Sequence, residues 1–310
     1  MRVDELPSSP PAPELRARLA AFERRILYPM GPSLRFRMDH GPDYRAYFGA
    51  LGPSRTWLAW DGESIVGAVS VALRQVVAQG RESVVAYLGD LMVDPAHRSG
   101  AVLYRLMERI FPLDAAQAAA GYGLAMEGSA ATPDQYTGRL GIPRFEPLGR
   151  VHIERLSTAP LERAAAFVEP GAGYRLYRRL TQGSTALELG MAERRSAMPP
   201  RWLDAGGQAC GLLEDTRRAK RLFLESGEEL VAAHLGYFAF AAPGAGKAVL
   251  RSALGEAFRR GYPQLLVALD DAQRDALGPA LDALRVTEAK ATRYGTAPQC
   301  RCIPVNTSEI

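Results

Sequence analysis

Cysteine is scarce. Cys210, Cys300 and Cys302 are the only three in 310 residues. A small odd number argues against a disulfide framework and fits a reducing compartment. Cys300 and Cys302 stand one residue apart with no cysteine–histidine cluster around them, so no metal is expected. The N-terminus, MRVDELPSSPPAPELRARL, lacks the apolar centre of a signal peptide. A long apolar run is also missing. The most apolar window, Leu230 to Leu250, contains His234, Pro243 and Lys247, and reads as a buried strand, turn and helix rather than a membrane span. A cytoplasmic protein with no membrane partner is therefore expected. Charge of one sign is in small excess, +4 with a pI of about 9.0. That suits an anionic partner such as a nucleotide cofactor, an acidic carrier or RNA, but it is too little to establish nucleic-acid binding, which is not expected.

What is present is enough apolar material for a core. Hydrophobic residues make up 47% and charged residues 23%, and the length is comfortable for two domains. After a proline-rich start, Leu15, Leu19, Phe22 and Ile26 recur at helical spacing. SLRFRM alternates like a strand with one wet face, and DYRAYFGAL reads as a short helix. TWLAW and SIVGAVSVAL flank Asp61-Gly62, a hairpin signal. VVAYLGDLMV is apolar enough to lie mid-sheet and ends at Pro95. The next helix presents Val102, Leu106 and Ile110 on one face and is expected to break at Pro112. YGLAME follows as a strand. TPDQ is a capping box with Pro133 at the first helical position, and that helix is expected to end near Gly141. GRVHIERL reads as the strand closing this half.

The second half repeats the order. Trp57-Leu58 recurs as Trp202-Leu203, Pro95 with Ala101-Val102-Leu103 as Pro243 with Ala248-Val249-Leu250, and Gly121-Tyr122 as Gly261-Tyr262, all at offsets of about 140 to 148 residues. The pattern implies a duplication with its seam near Thr158-Ala159-Pro160. The copies differ where chemistry is expected. Between the proline and AVL the first has AHRSG and the second GAGK, which lacks arginine. GAGKA fails as a nucleotide P-loop, because Ala241 replaces its first glycine and Ala248 its hydroxyl residue.

LMVDPAHRSGAVLYRLM, starting at Leu91, joins a strand end to a helix start through a basic, glycine-bearing loop. Free N–H groups and the positive dipole end of a helix bind phosphate, and Arg98 adds a fixed charge. The residues alone leave two readings, an anion cradle or an ordinary strand–turn–helix with a surface arginine.

The same stretch resembles the acyl-CoA signature of the GNAT superfamily of N-acyltransferases, with Leu91, Val93, Pro95 and Arg98 in register. The resemblance covers about residues 1–156, and the second half as a degenerate copy. It implies an α/β fold, a mixed and mostly antiparallel sheet flanked by helices, in two tandem GNAT-like domains at 1–158 and 159–310. It implies acyl transfer, acetyl first, from acetyl-CoA or another acyl-CoA to a small-molecule or peptide amine by direct attack in a ternary complex. Leu91, Met92 and Val93 would hold the pantetheine arm, and Arg98, Ser99, Gly100, Ala101, Val102 and Leu103 the pyrophosphate. Two departures stand out: the family's glycines fall at Ala101 and Leu103. Asp90, in a mostly apolar strand where burial should raise its pKa, is the expected base or amine-positioning group. The family's tyrosine acid falls in register on Thr137, which puts its neighbour Tyr136 forward, with Glu127 as a further candidate. His97 is expected to be a loop contact, and His40, His152 and His234 structural. Alternatives of other classes are a non-catalytic ligand-binding or dimerisation protein on the same fold, monomeric or homodimeric, a Fem-type aminoacyl-tRNA-dependent transferase, and an enzyme whose donor rides on an acyl carrier protein.

Overall fold

The computed structural model describes residues 1–310 except Ser8, Gln79, Ser99, Gly100, Ala115 and Ala116; the side chains of 111–114 and 279–280 are also left undescribed. The first half runs β1 (Arg2–Glu5), α1 (Pro13–Glu23), β2 (Tyr28–Met30), β3 (Leu34–Asp39), α2 (Arg45–Leu51), β4 (Ser54–Asp61), β5 (Ser64–Ala78), β6 (Arg81–Val93), α3 (Ala101–Asp114), β7 (Ala120–Met126), α4 (Pro133–Tyr136) and β8 (Glu146–Ser157). The second runs β9 (Ala166–Val168), α5 (Pro170–Leu180), β10 (Thr185–Leu187), α6 (Ala192–Arg195), β11 (Arg201–Asp204), β12 (Ala209–Glu214), β13 (Arg221–Leu224), β14 (Ala232–Phe240), α7 (Pro243–Arg259), β15 (Gln264–Leu269), α8 (Asp271–Asp282) and β16 (Arg285–Gly295). Among the described residues no helix is long and apolar enough to cross a membrane.

One large sheet carries both halves, in the order β1-β4-β5-β6-β7-β16-β8-β15-β14-β12-β11-β9, with β10 beside β5. Its pairings are antiparallel except β6–β7 and β14–β15. The two halves therefore follow one plan, with β4, β5, β6 and β7 matched by β11, β12, β14 and β15. The closing strands break the expected arrangement. β8 does not close its own half beside β7. It pairs with β15 on one side and β16 on the other, while β16 pairs with β7. Each half's last strand thus completes the other half's sheet. The apolar alternation of GRVHIERL identified a strand, but alternation says nothing of the partner. The seam foreseen at Thr158 lies in the irregular segment after β8.

Local chemistry accounts for the elements near the site. α1 starts with Pro13 and buries Leu19 and Phe22. The β4–β5 hairpin turns at Gly62, whose φ of +56° needs glycine. α3 buries Val102, Leu106, Met107 and Ile110, each worth about 1.5–3 kcal/mol. It lies so close to β5 that a Cβ on Gly67 would come within 2.6 Å of Val102 Cγ1. Contrary to the expected break, α3 runs through Pro112 to Asp114. α4 keeps the Thr132–Gln135 capping box but is a single turn. Gly138, at φ +78°, leaves helical geometry before Gly141. A second sheet, β13-β3-β2, joins the halves over the α1–α2 side.

The halves meet around a buried charge cluster. Glu309 Oε2 lies 3.1 Å from Arg74 Nη2 of β5, and its Oε1 lies 3.3 Å from Arg195 Nη2 of α6. Tyr237 and Asn306 also donate to its carboxylate, both at 2.8 Å. Arg195 forms a second, two-pronged pair with Glu214, at 2.9 and 2.8 Å. Burial pushes the Glu309 carboxyl up, but Arg74 and Arg195 outweigh it and hold it below the usual glutamate range. A carboxyl lowered in the folded state stabilises fully above its unfolded pKa, and that contribution is lost as pH falls through the folded value. Replacing Glu309 by Gln leaves two buried guanidiniums short of a counter-charge and should cost about 3–5 kcal/mol. Urea unfolding at pH 7 checks this, and the gap to wild type should narrow in acid, below the ordinary glutamate pKa.

Candidate active site

The site begins where two parallel strands part. β6 and β7 pair only from Val85↔Ala120 to Leu88↔Gly123. Beyond that β6 continues with β5 to Val93, while β7 continues with β16. A β-bulge marks the parting. Ser70 faces Gly89 and Ala68 faces Met92, so Asp90 and Leu91 together oppose Val69. Asp90 takes a left-handed φ of 50°, a region that aspartate tolerates better than most residues. The extra residue re-aims the strand. Leu88 and Leu91, three apart rather than two, both pack on the α3 side. Met92 packs with α1, and Asp90 faces His40 and Tyr44 on that same side.

On the α3 side, the strand end leads into a turn at Pro95–His97 held by Asp94. Its carboxylate accepts from the Ala96 amide at 3.0 Å and pairs with Arg25 Nε at 2.6 Å. Burial raises the Asp94 carboxyl, but the Ala96 amide and Arg25 outweigh it and hold it low. His97 lies 3.4 Å from Asp61, a loop contact as expected. Arg98 is exposed. Ser99 and Gly100 lie outside the described residues. Ala101, Val102 and Leu103 form the first turn of α3, whose leading N–H groups have no partner within a helix. Leu103 is thus already helical, and its partly buried side chain joins the α3 cluster. Tyr136, the last residue of α4, packs against that same cluster. Burial, with Tyr294 and Asp134, raises its phenol well above the ordinary value. Glu127 is exposed in the turn after β7.

On the opposite side is a buried polar network that the sequence did not reveal. Tyr44 donates to Asp90 Oδ2 at 2.9 Å. His40 Nε2 lies 3.1 Å from the same oxygen, and His40 Nδ1 lies 2.5 Å from Glu23 Oε1. The Nε2 approach is close enough for an ion pair but poorly aligned for a hydrogen bond, so Nε2 stays buried without an aligned partner. The His40 side chain is 0% exposed and that of Asp90 5%. The imidazole is packed by Tyr44, with ring centroids 4.4 Å apart, and by Tyr47 at 5.7 Å. Burial pulls the His40 pKa down, but the Asp90 and Glu23 carboxylates outweigh it and raise it above its ordinary value. Burial raises the Glu23 carboxyl, with only part of that offset by His40. His40 thus has partners in space that it lacks in sequence, because Glu23, His40 and Asp90 come from three separate elements.

The second half completes this wall. Lys220, just before β13, holds its ammonium 3.9 Å above the Tyr47 ring and donates to the backbone oxygen of Ile310. Burial pushes its pKa down to about 7 despite the attraction of Asp90. Within the first half, Tyr87 and Tyr122 pack at 5.2 Å and Phe48 and Tyr87 at 6.4 Å. They leave a cavity of about 10 Å³, room for one water, lined by Arg74, Tyr87, Tyr122, Leu187, Asn306 and Glu309. A larger depression of about 220 Å³ lies between β1 and α3 and shares no residue with the bulge.

The equivalent place in the second half is filled. β14 bulges at Tyr237, with φ 48° and the same register shift against β12. The Tyr237 amide donates to Asn306 Oδ1 at 2.7 Å. Thr307 bonds both His234 of β14 and the Leu266 carbonyl of β15. Burial lowers His234 to about 3, so it is neutral there. The chain's own residues 306–307 thus bridge the strands that correspond to β6 and β7.

Comparison with known proteins agrees with this geometry. Residues 34–129 match a family model described as an acetyltransferase (GNAT) domain. No curated protein matches the chain in sequence. Among solved structures, N-myristoyltransferase from Saccharomyces cerevisiae with bound myristoyl-CoA is similar at a TM-score of 0.64 and 8% identity, over 94% of this chain and 82% of that one. A GCN5-related N-acetyltransferase from Kribbella flavida aligns at a TM-score of 0.48 and 13% identity, over 77% of this chain and 59% of that one. The matched GNAT acetyltransferase stretch, residues 34–129, thus runs across the bulged strand β6, and the fold of the chain as a whole is similar to that of N-myristoyltransferase.

Proposed function

We propose that the protein transfers a short acyl group, acetyl first, from acyl-CoA to a primary amine by direct attack, at the parting of β6 and β7. The carrying observation is the bulge at Asp90. It opens one face toward the start of α3 and turns a carboxylate to the other face, so donor and acceptor meet from opposite sides of the sheet. In this reading Leu91, Met92 and Val93 align the pantetheine arm, and the amides of Ala101, Val102 and Leu103, with Arg98, hold the pyrophosphate. The acceptor nitrogen gives its proton to Asp90 and attacks the thioester carbon. The C–S bond then breaks, and the thiolate takes a proton from Tyr136. A phenol raised by burial keeps its proton at neutral pH but gives it up weakly, so Tyr136 should contribute less than Asp90. The aromatic packing around the single-water cavity favours a short acyl chain. The active site lies in the first half, with the domain boundary kept near residue 158, and the protein works in the cytoplasm. The acceptor is a small molecule or a peptide bearing a free amine.

Acetyl-CoA at 100 times its Kd should stabilise the protein by about 2.7 kcal/mol, read as a rise in Tm. Arg98→Glu should weaken that shift. An unchanged affinity would remove the loop from the donor site, and no shift with any acyl-CoA would favour a non-catalytic protein.

Thiol release from acetyl-CoA with a panel of spermidine, n-butylamine and a glycine-initiated tripeptide tests the chemistry. Asp90→Asn should lower kcat by about 100-fold or more with little change in the KM for acetyl-CoA, and Tyr136→Phe by less. Equal losses in kcat and donor binding on changing Asp90 would contradict its role as base.

Across acyl-CoAs of rising chain length, turnover should fall from acetyl onward. A preference for a long chain would overturn the assignment of a short donor.

A further inference from the structure

A base as buried as Asp90 must dispose of the proton it receives. Among the described residues, its carboxylate has the Tyr44 hydroxyl at 2.9 Å and His40 Nε2 at 3.1 Å, both on Oδ2. Tyr44 is already committed as a donor, so it cannot relieve Asp90 of a proton. His40 is placed differently. A carboxylate only accepts hydrogen bonds, so Glu23 at 2.5 Å fixes a proton on Nδ1. In the neutral ring Nε2 is then the unprotonated nitrogen, and it lies 3.1 Å from Asp90 Oδ2. That nitrogen is buried and has no aligned partner of its own.

We propose that His40 and Glu23 are positioning residues that act through Asp90: the proton taken from the acceptor amine passes from Asp90 to His40 Nε2, and Glu23 fixes the tautomer and steadies the imidazolium that forms. The proposal rests on the reading of Asp90 as the base. The step balances without any other reactant. The N–H bond of the amine breaks, an O–H bond forms and breaks at Asp90, and an N–H bond forms at Nε2. The unit begins with two carboxylates and a neutral imidazole and ends with an imidazolium between two carboxylates. Asp90 is returned to its basic form while the acyl group is still in place. The raised His40 pKa is the electrostatic counterpart of this arrangement.

The charged and titratable groups facing this unit, among the described residues, are Glu23 of α1, Tyr28 of β2, Asp39 of β3, Tyr44 just before α2 and Tyr47 within it, Tyr87 and Asp90 of β6, and Lys220 before β13. Lys220, lowered to about 7 by burial, also titrates, so a rate profile alone would confuse the two groups. Histidine nitrogens are read separately by ¹⁵N NMR.

The test uses the full chain labelled with ¹⁵N-histidine, with the His40 signal assigned by its loss in His40→Gln. In wild type His40 should titrate above the ordinary histidine value of about 6.5, with the neutral form protonated at Nδ1. Glu23→Gln and Asp90→Asn should each move that midpoint down. A midpoint unmoved by both variants, or a neutral form protonated at Nε2, would overturn the proposal.

The kinetic arm uses acetyl-CoA with n-butylamine. His40→Gln should lower kcat by about 100-fold and abolish the acid limb that follows His40, while its melting curve reports whether it folds. Glu23→Gln should carry that limb to lower pH. If Asp90→Asn keeps the wild-type rate, the base assignment fails and takes the relay with it. If Asp90→Asn is impaired while His40→Gln keeps wild-type rate and pH profile, the relay alone fails.

Discussion

The Glu309 carboxylate holds the architecture together. It is taken by Arg74 from the first half and Arg195 from the second, and bonded by Tyr237 at the bulge of β14. Two guanidiniums and two carboxylates, with Glu214, balance in charge, which is what allows them to be buried. The segment that carries Glu309 also carries Asn306 and Thr307, which bridge β14 and β15. It ends against Tyr47 and Lys220, beside the first bulge. One anchored segment therefore does two things at once. It fills the parting of strands in one half and forms part of the wall of the other.

Both halves carry a bulge at the matching place in their common strand plan, and they differ in what they hold there. A bulge is a backbone feature, set by one extra residue in a strand, and it survives when side chains change. Asp90 and Tyr237 share the positive φ and the register shift. At Asp90 the side chain is a carboxylate held by His40 and Tyr44. At Tyr237 it is a phenol locked into the Glu309 cluster, with the strand amide already satisfied by Asn306. In the second half the same backbone shape thus serves the Glu309 cluster, and GAGK stands there where AHRSG stands in the first half.

Much of this was legible in the sequence. The strand β6, the hairpin at Gly62, the face of α3 and the internal repeat follow from periodicity and turn residues, which are local signals. The exchange of β8 and β16 was not legible, because an alternating strand does not name its partner. Pro112 failed as a helix stop because Pro weights the local odds without deciding them. The larger gap was at the site. Asp90 could be singled out from its place before Leu91, but His40 was set aside as structural. Its partners are Glu23 on α1 and Asp90 on β6, and only the packing of α1 and α2 on the sheet brings them together. Asp90 also faces His40 because of a bulge, and a strict two-residue alternation would assign its face wrongly.

The second half's contribution follows from the same geometry. β13 extends β3, Lys220 covers Tyr47, and β10 extends β5 beyond the reach of β4. Lys220 and the β13–β3 pairing lie on the side to which Asp90 points, and β10 lengthens the sheet beside it. A single GNAT-like unit would leave that side open to water, where a carboxylate and an imidazole interact weakly through a high dielectric. Covered by the second half, the same groups sit in a medium where charges are felt strongly: burial lowers the Lys220 pKa, while at His40 the Asp90 and Glu23 carboxylates of the first half outweigh burial and raise it. On the proposed reading, the duplicated half that holds no donor still shapes the chemistry, by excluding water from the face where the amine gives up its proton.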